Sequence, residues 1–247
     1  MVDESNITGV LEDKLESYYS DAAYRNYRSI LNEAIYEYNG FAFKNILDIG
    51  AGVGTLYDAI KPFQFDYYGL EVSEYGYDKL KEKGVNVKKF LLDGKNKLPF
   101  PDGFFSCVIF NQVIEHVEKH IGVHCLKEIV RVLEPGGVAV IKSPSRYARI
   151  FATDPHHIYC WRPNELCEEV NKFIEDVESI KMSRVPLEPW MFYKYSDEKI
   201  DTWHKYNKHP SQRRFYYVFF KILDMLANKA FGTDIFLAVS NVTFVKK

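Results

Sequence analysis

Three glycines in five residues follow a short apolar run in Asn45-Ile-Leu-Asp-Ile-Gly50-Ala-Gly52-Val-Gly54. A buried strand that runs into such a turn, and then into a helix, lets backbone N–H groups approach a bound cofactor, because Gly50 and Gly52 carry no Cβ to collide with it. The spacing departs from the dinucleotide fingerprint: GxGxxG requires glycine at 55, where Thr55 stands. Asp48, two residues before the first glycine, suits organising the loop and a cationic ligand rather than a pyrophosphate. Taken alone, the loop is also compatible with a plain turn. Glu71 closes a second apolar run 21 residues after Gly50, where a carboxylate can accept both hydroxyls of a ribose; a solvated strand end is the alternative. Asp93 stands where it could accept an adenine amine, and Asp93-Gly94 is also a good turn.

The histidines are the side chains able to exchange protons near neutral pH. His116 follows a fourth apolar run, and His156 and His157, in Asp154-Pro-His-His-Ile, follow a fifth. His157 is the first choice for a base that takes the proton of a nucleophile, with His116 and His156 behind it and a structural pin as the alternative. Trp161-Arg162, just beyond, could close over an acceptor. His116, His120 and His124 share four-residue spacing, but they spread over about 12 Å of helix and no carboxylate or cysteine completes a set. No metal is expected.

The elements that must position these residues alternate. A helix is expected over residues 10–39, then strands at Ile46–Ile49, Asp66–Glu71, Val85–Leu92, Phe104–Asn111 and Val138–Lys142. Helices Thr55–Ile60, Glu74–Lys83 and Ile121–Leu133 separate them, stopped by Pro62, Gly84 and Pro135-Gly136-Gly137. This rhythm argues for a parallel sheet with right-handed crossovers. A helix Pro163–Phe173, a strand near Val177–Met182 and a last, antiparallel strand Ile235–Val245 complete the expectation.

Six stretches carry a resemblance: Ile46–Gly54, Gly69-Leu-Glu71-Val72-Ser73, Leu92-Asp93, Leu98-Pro-Phe-Pro-Asp-Gly103-Phe-Phe-Ser106, Gln112-Val-Ile-Glu115-His116 and Arg131-Val-Leu-Glu-Pro135-Gly-Gly137. In this order and spacing, over about residues 40–145, the chain resembles the class I S-adenosylmethionine-dependent methyltransferases, in particular their small-molecule, type 11-like branch. The resemblance implies a three-layer Rossmann-like α/β sandwich with a seven-stranded, mostly parallel sheet ordered 3-2-1-4-5-7-6. It implies S-adenosylmethionine as cofactor and S-adenosylhomocysteine as product. Carried over by position, Gly50 and Gly52, with Asp48 and Ala51, meet the methionine moiety; Glu71, with Val72, the ribose; and Asp93, with Gly94, the adenine. Asn111 and Gln112 line the methyl-transfer face. Two departures stand out. Ser106 replaces a usual Asp at a strand start, with little effect expected on cofactor binding. Gln112 replaces a carboxylate of the quinone-biosynthesis O-methyltransferases, which weakens that substrate assignment and a metal site alike.

Composition narrows the remainder. The chain has 247 residues, 47% hydrophobic, with net charge −2; this suits a single globular domain and gives no general attraction to nucleic acid. Four cysteines without CxxC spacing read as buried thiols of a cytoplasmic protein, and no apolar run approaches a membrane span. The expected organisation is an N-terminal helical segment 1–39, a cofactor-binding core 40–182, a cap 183–232 and a last strand in 233–247. Between Ser183 and Ala230 nine basic residues face five acidic ones among many aromatics. Such a cap suits a sugar or lipid-linked acceptor, or peripheral contact with an anionic membrane; a lid or dimer contact is the plainer alternative. The expected function is O-directed methyl transfer to a small molecule, sugar or glycolipid. A nicotinamide oxidoreductase and a catalytically silent interaction protein are the rivals, disfavoured by Thr55 and by the intact cofactor residues respectively.

Overall fold

The computed structural model describes residues 21–38, 40, 42–144, 156–173, 175–186 and 237–247. Its elements are α1 (Asp21–Glu37), β1 (Asn45–Ile49), α2 (Thr55–Ile60), β2 (Asp66–Glu71), α3 (Glu74–Glu82), β3 (Asn86–Lys89), β4 (Phe105–Asn111), α4 (Lys119–Val132), β5 (Leu133–Pro144), α5 (Pro163–Asn171), β6 (Val177–Pro186) and β7 (Leu237–Lys246). They form a seven-stranded sheet ordered β3-β2-β1-β4-β5-β7-β6, with β7 antiparallel to both neighbours. The expected fold and strand order are borne out.

The sheet is apolar on both faces because both are covered, as parallel sheets require. Ile46, Cys107, Ile109, Val138 and Val140 pack with Ile30, Leu56, Ile60 and Leu80, which puts α1, α2 and α3 on one side. Leu47, Ile49, Val108, Phe110, Ala139 and Ile141 pack with Leu126, Ile129, Leu166 and Val170, which puts α4 and α5 on the other. Ser106, the departure from the resemblance, ties the amino ends of β1 and β4: its Oγ donates to the Asn45 carbonyl at 2.9 Å and accepts from Lys44 N at 2.9 Å. Arg131 explains why two of the sequence signatures travel together. Its guanidinium donates to the carbonyls of Leu98 and Phe100 and to the carboxylates of Asp102 and Glu128, fastening the 98–103 loop to α4.

Several boundaries differ from expectation for local reasons. The edge strand β3 is short, Asn86–Lys89. Leu133 already pairs with Phe105, so β5 begins before Pro135-Gly136-Gly137 and passes through it with a register shift; Gly136 takes φ +77, and a Cβ on Gly137 would lie 2.8 Å from the Glu134 carbonyl oxygen and 3.0 Å from that of Phe105. α4 starts at Lys119, two residues early. β6 continues to Pro186. The expected helix over 10–20 and the cap beyond 186 lie outside the described residues. Cys107 and Cys125 are buried, whereas Cys160 and Cys167, also read as buried, are half-buried, and none forms a disulfide. Among the described residues no helix is long and apolar enough to cross a membrane.

Candidate functional site

The turn between β1 and α2 is built on left-handed backbone. Gly50, Gly52 and Gly54 take φ of +73, +53 and +83, a region where side chains with a Cβ are strained. Gly50 is needed twice over, since a Cβ there would sit 2.3 Å from Cγ2 of Val113, on the segment after β4. The glycine loop is therefore seated directly against the loop that carries Asn111, Gln112, Glu115 and His116. The N–H groups of Gly50 and Ala51 both donate to the Leu70 carbonyl, at 2.8 and 3.0 Å.

Glu71 is the staple of this turn. Its Oε2 accepts from Gly52 N at 2.7 Å, and its Oε1 accepts from Val72 N, Ser73 N and Ser73 Oγ at 2.8–3.0 Å. The carboxylate is 5% exposed. With about four acceptor positions on a carboxylate, Oε2 keeps one open beside its Gly52 contact. Asp48 lies beneath the turn, 3% exposed, and accepts from Tyr67 Oη at 2.9 Å. Burial raises its pKa to about 7, and the charge of Glu71 adds to the rise, while the Tyr67 hydrogen bond opposes it. Glu71 beside the loop, joined above about pH 7 by the carboxylate of Asp48 beneath it, favours a positively charged ligand. Asp93 sits at the surface as a turn residue: Oδ1 accepts from Lys95 N and Asn96 N, and Oδ2 from Asn96 Nδ2. These donors hold its pKa below the usual value. Gly94, at φ +71, completes that turn.

On the other side of the loop, Asn111 ends β4 with its Oδ1 buried and making no hydrogen bond. A buried carbonyl oxygen without a donor is costly, on the order of 1–3 kcal/mol, and marks a place where a ligand donor would be welcome. Gln112 follows in left-handed backbone, φ +59, its N–H donating to the Lys142 carbonyl at 2.8 Å. Lys142 pairs with Asn111 across β4 and β5 and so shares its face. It is 9% exposed, and burial pulls its ammonium below the ordinary lysine value against the charge of Glu33. The sequence reading missed Lys142; a lysine in an otherwise apolar strand was the available signal.

The histidines divide. His116 lies in a 3-10 turn, Ile114–His116, and His157 comes to it from 41 residues away, ring centroids 4.8 Å apart. The ligand-forming atoms of Glu115, His116 and His157 all fall within 4.8 Å of one another. His156 contributes its backbone: its carbonyl oxygen is 3.1 Å from His116 Nδ1. His120 is exposed beside Glu118, and His124 Nε2 contacts the Asn96 carbonyl, so the 116/120/124 trio does not converge. The 156–161 segment is pinned, with Ile158 N and Tyr159 N donating to the Glu115 carbonyl at 2.8 and 3.1 Å. Trp161, expected to close over an acceptor, is instead a core residue. It is fully buried, its Nε1 donates to the Ile114 carbonyl at 3.1 Å, and its ring fills the space where a Cβ on Gly122 would be, 2.6 Å away. An indole gains most by burying its ring while its N–H finds a carbonyl, and this pocket supplies both.

Residues 19–178 match the methyltransferase-domain family. Among curated relatives, an uncharacterized methyltransferase of Schizosaccharomyces pombe is 33% identical over 109 residues, 39% of this chain and 38% of that protein. The demethylmenaquinone methyltransferase of Geobacillus stearothermophilus is 32% identical over 111 residues, 42% of this chain and 46% of that protein. The chain thus spans less than half the length of either of these two relatives. In fold it is similar to the solved SAM dependent methyltransferase from Archaeoglobus fulgidus, with TM-score 0.61 and 19% identity over 91% of this chain and 94% of that one.

Proposed function

The chain belongs to the class I S-adenosylmethionine-dependent methyltransferase family, and we propose that it methylates an oxygen of a small-molecule, sugar or lipid-linked sugar acceptor. The observation that carries this reading is the seating of the Gly50–Gly54 loop between Glu71 on one side and Val113 on the other. It gives one continuous edge on which a cofactor and an acceptor can meet. The residues present fit the cofactor: buried Asp48 and Glu71 suit its cationic sulfonium, Glu71 Oε2 keeps an acceptor position, and Asn111 Oδ1 lacks a donor.

When bound, S-adenosylmethionine supplies an electrophilic methyl group that needs no further activation. What remains for the protein is alignment and removal of the acceptor's proton. Gly50, Gly52 and Ala51 hold the loop open to the methionine moiety; Glu71 with Val72 takes the ribose; Asp93 and Gly94 border the adenine. Asn111 and Gln112 face the transfer, and His157, with His116 beside it and His156 fixing the ring of His116, receives the acceptor's proton. The acceptor's chemistry rests on the basic, aromatic composition of residues 183–232, which suits stacking on sugars and contact with phosphate or an anionic membrane. A nicotinamide cofactor finds no support in the loop, because Thr55 occupies the third fingerprint position.

The test is an acceptor screen with methyl-labelled S-adenosylmethionine, sugar nucleotides and lipid-linked sugars first. Label transferred to an acceptor oxygen supports the reading. Transfer only to nitrogen or carbon acceptors would overturn the oxygen assignment.

A further inference from the structure

We propose that Glu115, His116 and His157 form a binding site for one divalent zinc-type cation, with its open coordination position toward the acceptor. The inference rests on the reading that this cluster lies at the acceptor side of the site. Two imidazoles and one carboxylate are the donor set of open zinc centres, three protein ligands plus an exchangeable position. Here the donor atoms already lie within 4.8 Å of one another. Bonds of about 2.0–2.2 Å would draw them inward.

The surroundings are those of an oriented ligand set. His116 Nδ1 lies 3.1 Å from the His156 carbonyl oxygen. A carbonyl can only accept, so Nδ1 carries the proton and the lone pair falls on Nε2. A ligating histidine is oriented by this same arrangement, its other ring nitrogen donating to a carbonyl. Glu115 is fully buried. The two loops that supply the ligands are fastened to each other at Glu115 O by Ile158 N and Tyr159 N, and at Ile114 O by Trp161 Nε1. His157 is therefore delivered to Glu115 and His116 by backbone bonds and a buried indole, independently of any cation. Magnesium and calcium are poorer matches, since both prefer all-oxygen sets.

The expectation of no metal came from spacing along α4 and from Gln112. Neither could register His157, which joins the set only through the fold. With a cation bound, His157 would serve as a ligand instead of receiving the acceptor's proton; the cation would lower the pKa of an acceptor hydroxyl at the open position, and that proton would leave to water. The C–S bond of the methyl donor then breaks as the new C–O bond forms.

The experiment is calorimetric titration of chelator-stripped full chain with zinc, manganese and magnesium chlorides, with metal content per chain measured after dialysis. Expected are one zinc per chain and weaker or absent magnesium binding. Zinc affinity should drop by at least about 100-fold in His157→Ala and in Glu115→Gln, beyond the 10–100-fold typical of outer-shell losses, and stay unchanged in His120→Ala. Glu115→Gln keeps the side-chain volume, and thermal midpoints of all variants identify any that fail to fold. Absence of zinc binding by the folded parent chain would overturn the proposal, as would affinity that ignores His157 and Glu115 or depends on His120. Because metal binding is read without turnover, a failed acceptor screen leaves this result standing, and a failed titration leaves methyl transfer standing.

Discussion

The two halves of the site are built in opposite ways. The proposed cofactor side is assembled from consecutive strands: the loop after β1, the end of β2 and the turn after β3, stitched by Glu71 to Gly52, Val72 and Ser73. The acceptor side is assembled from distant segments, with His157 and Trp161 reaching back to residues 114–116. Local bonds make the first half a motif that can be read along the chain. The second half exists only once β4, β5 and the segment after them are in register.

If that contrast is real, damage to one side should spare the other. The largest effect is expected from His157→Ala, which should lower turnover by about 10²–10⁴-fold while S-adenosylmethionine affinity, measured by calorimetry, stays within error. Equal loss of both would break the contrast. Next, Trp161→Ala removes a fully buried indole and should destabilise the fold by about 3–5 kcal/mol in urea unfolding. An unchanged unfolding midpoint would return Trp161 to the lid role that its burial now excludes.

A third test lies beneath the cofactor loop. The pKa of Asp48 is about 7 in the fold against an ordinary 3.8, so between about pH 4 and pH 7 the folded chain holds a proton that the unfolded chain has released. Stability should therefore fall as pH rises through that window and level off above it, by up to a few kcal/mol. Asp48→Asn should flatten this slope and gain stability at pH 8; a slope unchanged by the substitution would show that the carboxyl does not carry it. The smallest effect is expected from Glu71→Ala, which should weaken S-adenosylmethionine binding by about 1–3 kcal/mol with the acceptor-side loops undisturbed.

The same contrast explains what was legible in the sequence. Alternating apolar runs and glycine stops gave the strands and helices, because each is a local signal, whereas the strand order was implied by the resemblance. The Pro135-Gly136-Gly137 break was misread because β5 bridges it with a register shift against β4, a property of the partner strand. Trp161 looked available as a lid because nothing local shows that Gly122 leaves room for its ring. Lys142 passed unnoticed, since its burial beside Asn111 follows from pairing across two strands. The turn role of Asp93 was legible, and the turn accounts for its described hydrogen bonds.

The most direct test is calorimetry of the full chain, and of His157→Ala, with S-adenosylmethionine, S-adenosylhomocysteine and NAD. Binding of the first two to both proteins with equal affinity, and no heat with NAD, is the expected result. Tight NAD binding, or loss of S-adenosylmethionine binding in a folded His157→Ala, would contradict a cofactor side that stands on its own.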